Sequence, residues 1–139
     1  MDDPYDLRRF VDAQDGIYEA AVRELRAGRK TSHWMWFVFP QITGLGRSAV
    51  AQRYAIGSVA EAEAYLAHPV LGPRLLECAA ILTSLGGASA RAIFGDVDAL
   101  KLRSSMTLFA RAAPDEPLFS DVLERFFGGE EDPTTLQRL

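Results

Sequence analysis

The stretch Thr31–Gln41 reads T-S-H-W-M-W-F-V-F-P-Q. Positions 34–39 hold two tryptophans, two phenylalanines, a methionine and a valine without interruption. His33 stands in front of this run and Gln41 behind it. An apolar run of this length suits either a buried strand or a buried helix, and periodicity does not decide because every side is apolar. Context does decide. No second strand-like run occurs in the chain, and a lone strand has nothing to bond with. The stretch therefore predicts a short buried helix. Thr31 or Ser32 would cap it, a hydroxyl there accepting from the amides of the first turn. Pro40 would stop it by pushing Phe39 out of the helical region. Helical spacing then sets His33 on one face with Phe37 and beside Trp36. A helix apolar all round has to be covered all round, so neighbouring helices must wrap it.

Those neighbours are readable on both sides. Asp3-Pro4 opens a first helix over about residues 5–14, with Leu7, Phe10 and Val11 at helical spacing. A second runs from Ile17 to about Ala27, closed by Gly28. After Pro40, the glycines of I-T-G-L-G-R-S (42–48) read as a turn, since neither a dinucleotide nor a P-loop fingerprint is complete. Ser48 begins a short helix. Ser58 with Glu61 forms a capping box for the next, which ends at His68-Pro69. His68 reads as a cation at that C-terminus or a surface residue. Gly72-Pro73 begins a long helix with Leu75, Leu76, Ala79, Leu82 and Leu85 on its buried stripe. Ser89–Phe94 is a short helix closed by Gly95, and Asp96 caps another that runs to about Ala112. Phe119, Val122, Leu123, Phe126 and Phe127 mark a further helix ended by Gly128-Gly129, and Asp132-Pro133 starts a terminal turn. The expectation is an all-α fold, one domain spanning 1–139, of about seven to nine helices around the short buried aromatic helix.

Composition narrows the function classes. A length of 139 residues suits one core, and 48% hydrophobic with 24% charged residues is the balance of a globular protein. The net charge of -4 argues against general nucleic-acid binding, which needs a basic surface. A single cysteine, Cys78, allows neither a disulfide framework nor a cysteine zinc site, and it reads as a small core hydrophobe. His33 and His68 lie far apart in sequence, so no metal and no cofactor is expected. The acidic N-terminus is not a signal peptide, and no apolar run approaches the roughly 20 residues of a membrane span. A cytoplasmic protein is expected.

Two stretches hold the candidate chemistry. His33 is the one acid or base with a pKa naturally near neutrality; its plain reading is a histidine bonded to backbone or standing near solvent. Trp34 and Trp36 cannot share a helix face, so one is expected in the core and the other in a groove, where an indole can stack on a ring. Gln41 adds an amide. The second stretch is K-L-R-S-S-M-T-L-F-A-R (101–111). On a helix, Leu102, Met106 and Phe109 face the core. Lys101, Ser104 and Ser105 share another face, and Arg103, Thr107 and Arg111 a third. A cation with hydroxyls is a cradle for phosphate or carboxylate, although serines on a helix also bond back to their own preceding turn. Asp12, Gln14 and Asp15 either face the groove of His33 or only turn the chain.

These segments also resemble a known family as a set. D-P-Y-D-L-R-R-F-V-D-A-Q (3–14), S-H-W-M-W-F-V-F-P-Q (32–41), A-Q-R-Y-A-I (51–56), Y-L-A-H-P-V-L-G-P-R-L (65–75), I-F-G-D-V-D-A-L-K-L-R-S-S-M-T-L-F (93–109) and F-F-G-G (126–129) are similar to domain of unknown function family 1810, small bacterial and fungal proteins. The resemblance implies an all-α fold of its own type and supplies no reaction. Its members are sometimes labelled calpastatin, a label that this globular composition does not fit. The family pattern includes His33, Gln41, Lys101, Arg103, Ser104, Ser105 and Thr107 beside the aromatics, which raises the weight of a shared site.

Two functions are expected from these residues. The first is a pocket for an anionic small molecule, nucleotide-like or phosphorylated, as an enzyme or as a binder. In it His33 would be the acid/base and Lys101 or Arg103 the charge stabiliser, with Trp34, Trp36, Gln41, Ser104 and Ser105 as ligand contacts. The alternative is a non-catalytic interaction module that buries an aromatic patch against a protein partner or a second copy.

Overall fold

The computed structural model describes residues 3–139, and among these the chain forms nine α-helices and no strand. In order they are α1 Arg8–Gln14, α2 Tyr18–Arg26, α3 Met35–Val38, α4 Ala49–Arg53, α5 Val59–Ala67, α6 Leu71–Ser84, α7 Ala90–Ala112, α8 Pro117–Phe127 and α9 Pro133–Gln137. The all-α, single-domain reading holds. Helices α5, α6, α7 and α8 pack on one another, α2 lies against α6, α9 against α7, and α1 against α3. One parallel bridge ties Ile42 to Ile56, so the loop after the aromatic segment is pinned to the chain that leaves α4.

Most helix starts follow the capping chemistry expected of them. Ser48, Ser58, Ser89 and Asp132 each accept a backbone N–H with their side chain. Glu61 reaches back to the N–H of Gly57 at 3.0 Å, while Ser58 Oγ accepts from the N–H of Glu61 at 3.1 Å. Asp3 accepts from the N–H groups of Leu7 and Arg8, and these bonds hold its carboxyl below the ordinary range. His68 differs from expectation. Its Nδ1 accepts from the N–H groups of Val70 and Leu71 at 3.1 and 3.3 Å, so it serves the start of α6 and not the end of α5. The α5–α6 turn is tight enough that a Cβ on Gly72 would lie 2.0 Å from the carbonyl oxygen of Leu66. Gly95 takes φ 80° and ψ 171°, which breaks α7 into the two helical pieces that the sequence predicts.

The aromatic segment is shorter and differently capped than its sequence suggests. Its helix is only Met35–Val38, and neither Thr31 nor Ser32 caps it. Ser32 instead donates its hydroxyl to Glu24 Oε2 at 2.6 Å. Glu24 Oε1 accepts from the N–H groups of Thr31 and Ser32 and from Trp34 Nε1 at 2.7, 2.9 and 2.9 Å. His33 lies outside the helix, so the expected sharing of a face with Phe37 is not formed. At the other end, the carbonyl of Phe37 accepts from Gln14 Nε2 at 2.7 Å and from the Tyr65 hydroxyl at 3.3 Å. Gln14 is thus a buried support of the segment, held in turn by Arg74 at 3.1 Å. Trp34, Phe39 and Phe94 pack with ring centres 6.2–6.5 Å apart, and Phe10, Tyr65, Phe109 and Phe119 continue the aromatic core. Cys78 is buried in the core cluster, where burial pushes its thiol up to about 12, so it has no thiolate at neutral pH.

Glu24 gives this packing a pH signature. Burial alone would raise its carboxyl, but the hydrogen bonds from Ser32, Thr31 and Trp34 outweigh it and hold the value at about 2, against an ordinary 4.5. A folded value below the unfolded one gives stability that is complete above about pH 4.5 and lost as pH falls toward 2. Glu24→Gln keeps the shape and removes the charge. It is expected to lower the unfolding free energy at pH 7 by about 2 kcal/mol and to make the acid-side fall shallower, as read by urea unfolding at a series of pH values. An unchanged urea midpoint at pH 7 would remove Glu24 from this role.

Candidate functional site

Past the Gly95 break, α7 runs alongside the aromatic segment and the loop that follows it. Lys101 brings the two expected stretches together. Its ammonium lies 3.4 Å from the centre of the Trp36 ring, a cation over an aromatic face. Lys30 lies in the same way over Trp34, at 5.1 Å. Both lysines share one counter-ion, Asp98, at 2.8 Å from Lys30 and 3.4 Å from Lys101. Lys30 also donates to the carbonyl of Ser32 at 2.5 Å, and its side chain is only 8% exposed. Lys30 is therefore a fixed clamp; Lys101 lies closer to its ring but has the longer bond to Asp98 and the more exposed side chain, 18%.

A groove of about 320 Å³ opens beside this arrangement, at the lower end of the range for small-molecule sites. Trp36, Gln41, Leu45 and Gly46 form one wall, and Val97, Leu100, Lys101 and Ser104 of α7 the other. Asp132 and Thr134, at the start of α9, close one end. Val97 and Leu100 are 66% and 62% exposed and make an apolar rim. The lining charges are one ammonium and one carboxylate, and Asp98 behind Lys101 is balanced by Lys30.

The sequence-predicted residues divide between this groove and three other places. Trp36, Gln41, Lys101 and Ser104 line it together. Trp34 is fully buried, its indole N–H committed to Glu24, so the groove tryptophan is Trp36. His33 is exposed and does not line the groove. Ser105 is fully buried on the core side, and its hydroxyl has no hydrogen-bond partner among the described residues. Arg103 faces away with Thr107 and Arg111, and that face docks the loop before α9. Arg103 donates to the carbonyls of Glu130 and Glu131 at 3.0 and 2.8 Å, and Arg111 holds the Glu131 carboxylate with two bonds at 2.8 and 2.7 Å. Thr107 accepts from the N–H of Asp132 at 2.9 Å. Asp12 pairs on the surface with Arg8, at 3.7 Å.

Two functional candidates are absent from the sequence reading. Asp98 could have been found, because it stands three residues before Lys101 on one helix face. Asp132 could not, since only the docking of its loop on α7 carries it to the groove. Its Oδ2 accepts from Ser104 Oγ at 3.1 Å, from the N–H of Thr135 at 3.0 Å and from Thr135 Oγ1 at 2.6 Å.

The model of the family described as "Protein of unknown function (DUF1810)" matches residues 4–139. The chain belongs to the DUF1810 family. The crystal structure of the conserved hypothetical protein Rv1873 from Mycobacterium tuberculosis is 55% identical to it, with a TM-score of 0.97 over 99% of this chain and 98% of that one. No curated protein matches. No helix among the described residues of this DUF1810 chain is long and apolar enough to cross a membrane, and no group of three or more metal-ligating side chains converges there.

The two lysines are expected to differ in kind. Lys30→Met removes the clamp on Ser32 and the tighter bond to Asp98, and should cost about 2 kcal/mol or more of stability. Lys101→Met leaves Asp98 paired with Lys30 and should cost roughly 1 kcal/mol or less. Thermal unfolding of the two variants checks this, and an equal loss would contradict the division into clamp and more exposed contact.

Proposed function

We propose that the groove between Trp36 and α7 binds a small molecule that joins a flat ring to an anionic group, nucleotide-like or phosphorylated. One observation carries the reading: a lysine whose counter-ion is shared with a second lysine rests on the partly exposed Trp36 inside an open groove. An incoming ring takes the place of the ammonium over Trp36, and the freed ammonium turns to the ligand's anion. The exchange is inexpensive because Asp98 does not become bare; Lys30 still holds it at 2.8 Å. Trp36 supplies the stacking face, Lys101 the charge, and Gln41 an amide that donates and accepts. His33, Arg103 and Ser105 have no part, because none of them lines the groove.

A panel of nucleoside monophosphates and sugar phosphates, followed by thermal shift and by tryptophan fluorescence with Trp36→Phe as the blank, tests it. At least one class should bind and quench Trp36. Trp36→Ala and Lys101→Met should each weaken that binding by about tenfold or more. No binding across the panel, or binding indifferent to both substitutions, ends this reading. A second reading, a contact surface for another copy of the chain, is favoured only by the apolar rim of Val97 and Leu100. A protein that stays monomeric at high concentration in sedimentation velocity removes it.

A further inference from the structure

We infer that the groove takes a ligand with adjacent hydroxyls at its Asp132 end, so that a ribonucleotide is accepted and its deoxy counterpart is disfavoured. This rests on the reading of the groove as a ligand site and goes beyond it in naming what the far end recognises. Asp132 Oδ2 is filled, with bonds from Ser104 Oγ, the N–H of Thr135 and Thr135 Oγ1. Oδ1 accepts no hydrogen bond among the described residues, and Asp132 lines the groove. An ionised carboxylate is an acceptor only, so half of its capacity is open to a ligand.

Ser104 strengthens the same polarity. A hydroxyl has one proton, and that of Ser104 is drawn toward the carbonyl of Leu100 and toward Asp132 Oδ2, both at 3.1 Å. What Ser104 can offer the groove is therefore lone pairs. Ser104 does not act as the anion donor that its spacing from Lys101 suggests. Ser104 Oγ is bonded to the same carboxylate at 3.1 Å and both residues line the groove, so two acceptors on neighbouring residues can meet two donors on neighbouring carbons, the arrangement of vicinal hydroxyls. Carboxylates hold ribose hydroxyls in this way in dinucleotide sites. The opposite charge sits one helical turn back on α7, where Lys101 is three residues before Ser104, roughly 5–6 Å away at Cβ. An anion placed at the Asp132 end would meet a carboxylate, so the ligand's orientation is fixed: anion toward Lys101, hydroxyls toward Asp132.

Isothermal titration of the full chain with adenosine, guanosine, cytidine and uridine 5′-monophosphates, each against its 2′-deoxy form, tests this. The ribo form should bind about tenfold or more tightly than the deoxy form, because a site built to take a hydroxyl leaves its acceptor unmatched when the hydroxyl is missing. Asp132→Asn keeps one carbonyl oxygen for Ser104 and Thr135 and puts an NH₂ in place of the open oxygen. In that variant the ratio of ribo to deoxy binding should fall to about twofold or less. Equal binding of both forms to the unaltered protein, still lost in Lys101→Met, overturns this inference and leaves the groove reading standing. A preference that survives Asp132→Asn overturns it as well. Absence of any ribonucleotide binding overturns this inference, and the groove reading falls with it only if no sugar phosphate binds either. The comparison on the unaltered protein needs no variant, so a poorly folding Asp132→Asn does not remove the test.

Discussion

The aromatic segment cannot satisfy its own backbone. A helix leaves its first four N–H and last four C=O groups without internal partners, and α3 has only four residues. Buried in a core, such a segment needs polar side chains from elsewhere in the chain. Glu24 of α2 meets its beginning, Lys30 holds the carbonyl of Ser32, and Gln14 of α1 with Tyr65 of α5 meets its end. These contacts fix where α1, α2 and α5 must lie. The polar groups sit inside because the most apolar stretch of the chain is also too short to be self-sufficient.

The groove follows from the same arrangement. Glu24 holds Trp34 by its indole N–H, which turns that ring inward. Trp36, two positions on, then has to face another way, and it meets α7 where Lys101 stands. Lys30 joins the two halves: its backbone N–H donates to the carbonyl of Ile93 at 2.8 Å, and its ammonium reaches Asp98. The Gly95 break lies between those two attachment points, so the direction of the second half of α7 is set against the aromatic segment. Two cations on one carboxylate, the nearer of them Lys30, follow from both lysines sharing Asp98.

The C-terminal part of the chain is a component of the groove and not an appendage. Arg103, Thr107 and Arg111 were candidates for chemistry on the strength of their charge and hydroxyls. They are consumed in holding Glu130, Glu131 and Asp132 against α7. Their effect on the groove is indirect: they carry Asp132 to its end. The pairing of Arg111 with Glu131 raises the guanidinium and lowers the carboxyl, each through the bonds between them.

Sequence alone was enough for the all-α class and for the helix boundaries to within a few residues, and it marked the two stretches whose meeting only the fold supplies. Capping serines, glycine stops and apolar spacing are local features, and they act through neighbours three or four positions away. It also led to the expectation that the two tryptophans diverge, although the helical reason for it does not apply, because Trp34 stands before α3 with non-helical backbone. Which tryptophan did which was a tertiary decision, made by Glu24. Tertiary structure likewise decided that Ser32 serves Glu24 instead of capping α3, that His33 stands outside the groove, and that Ser105 is sealed in the core. These depend on partners from eight to about seventy positions away. No local periodicity encodes that separation, because a polar side chain reads the same from sequence whether its partner is solvent, a neighbouring backbone or a ligand.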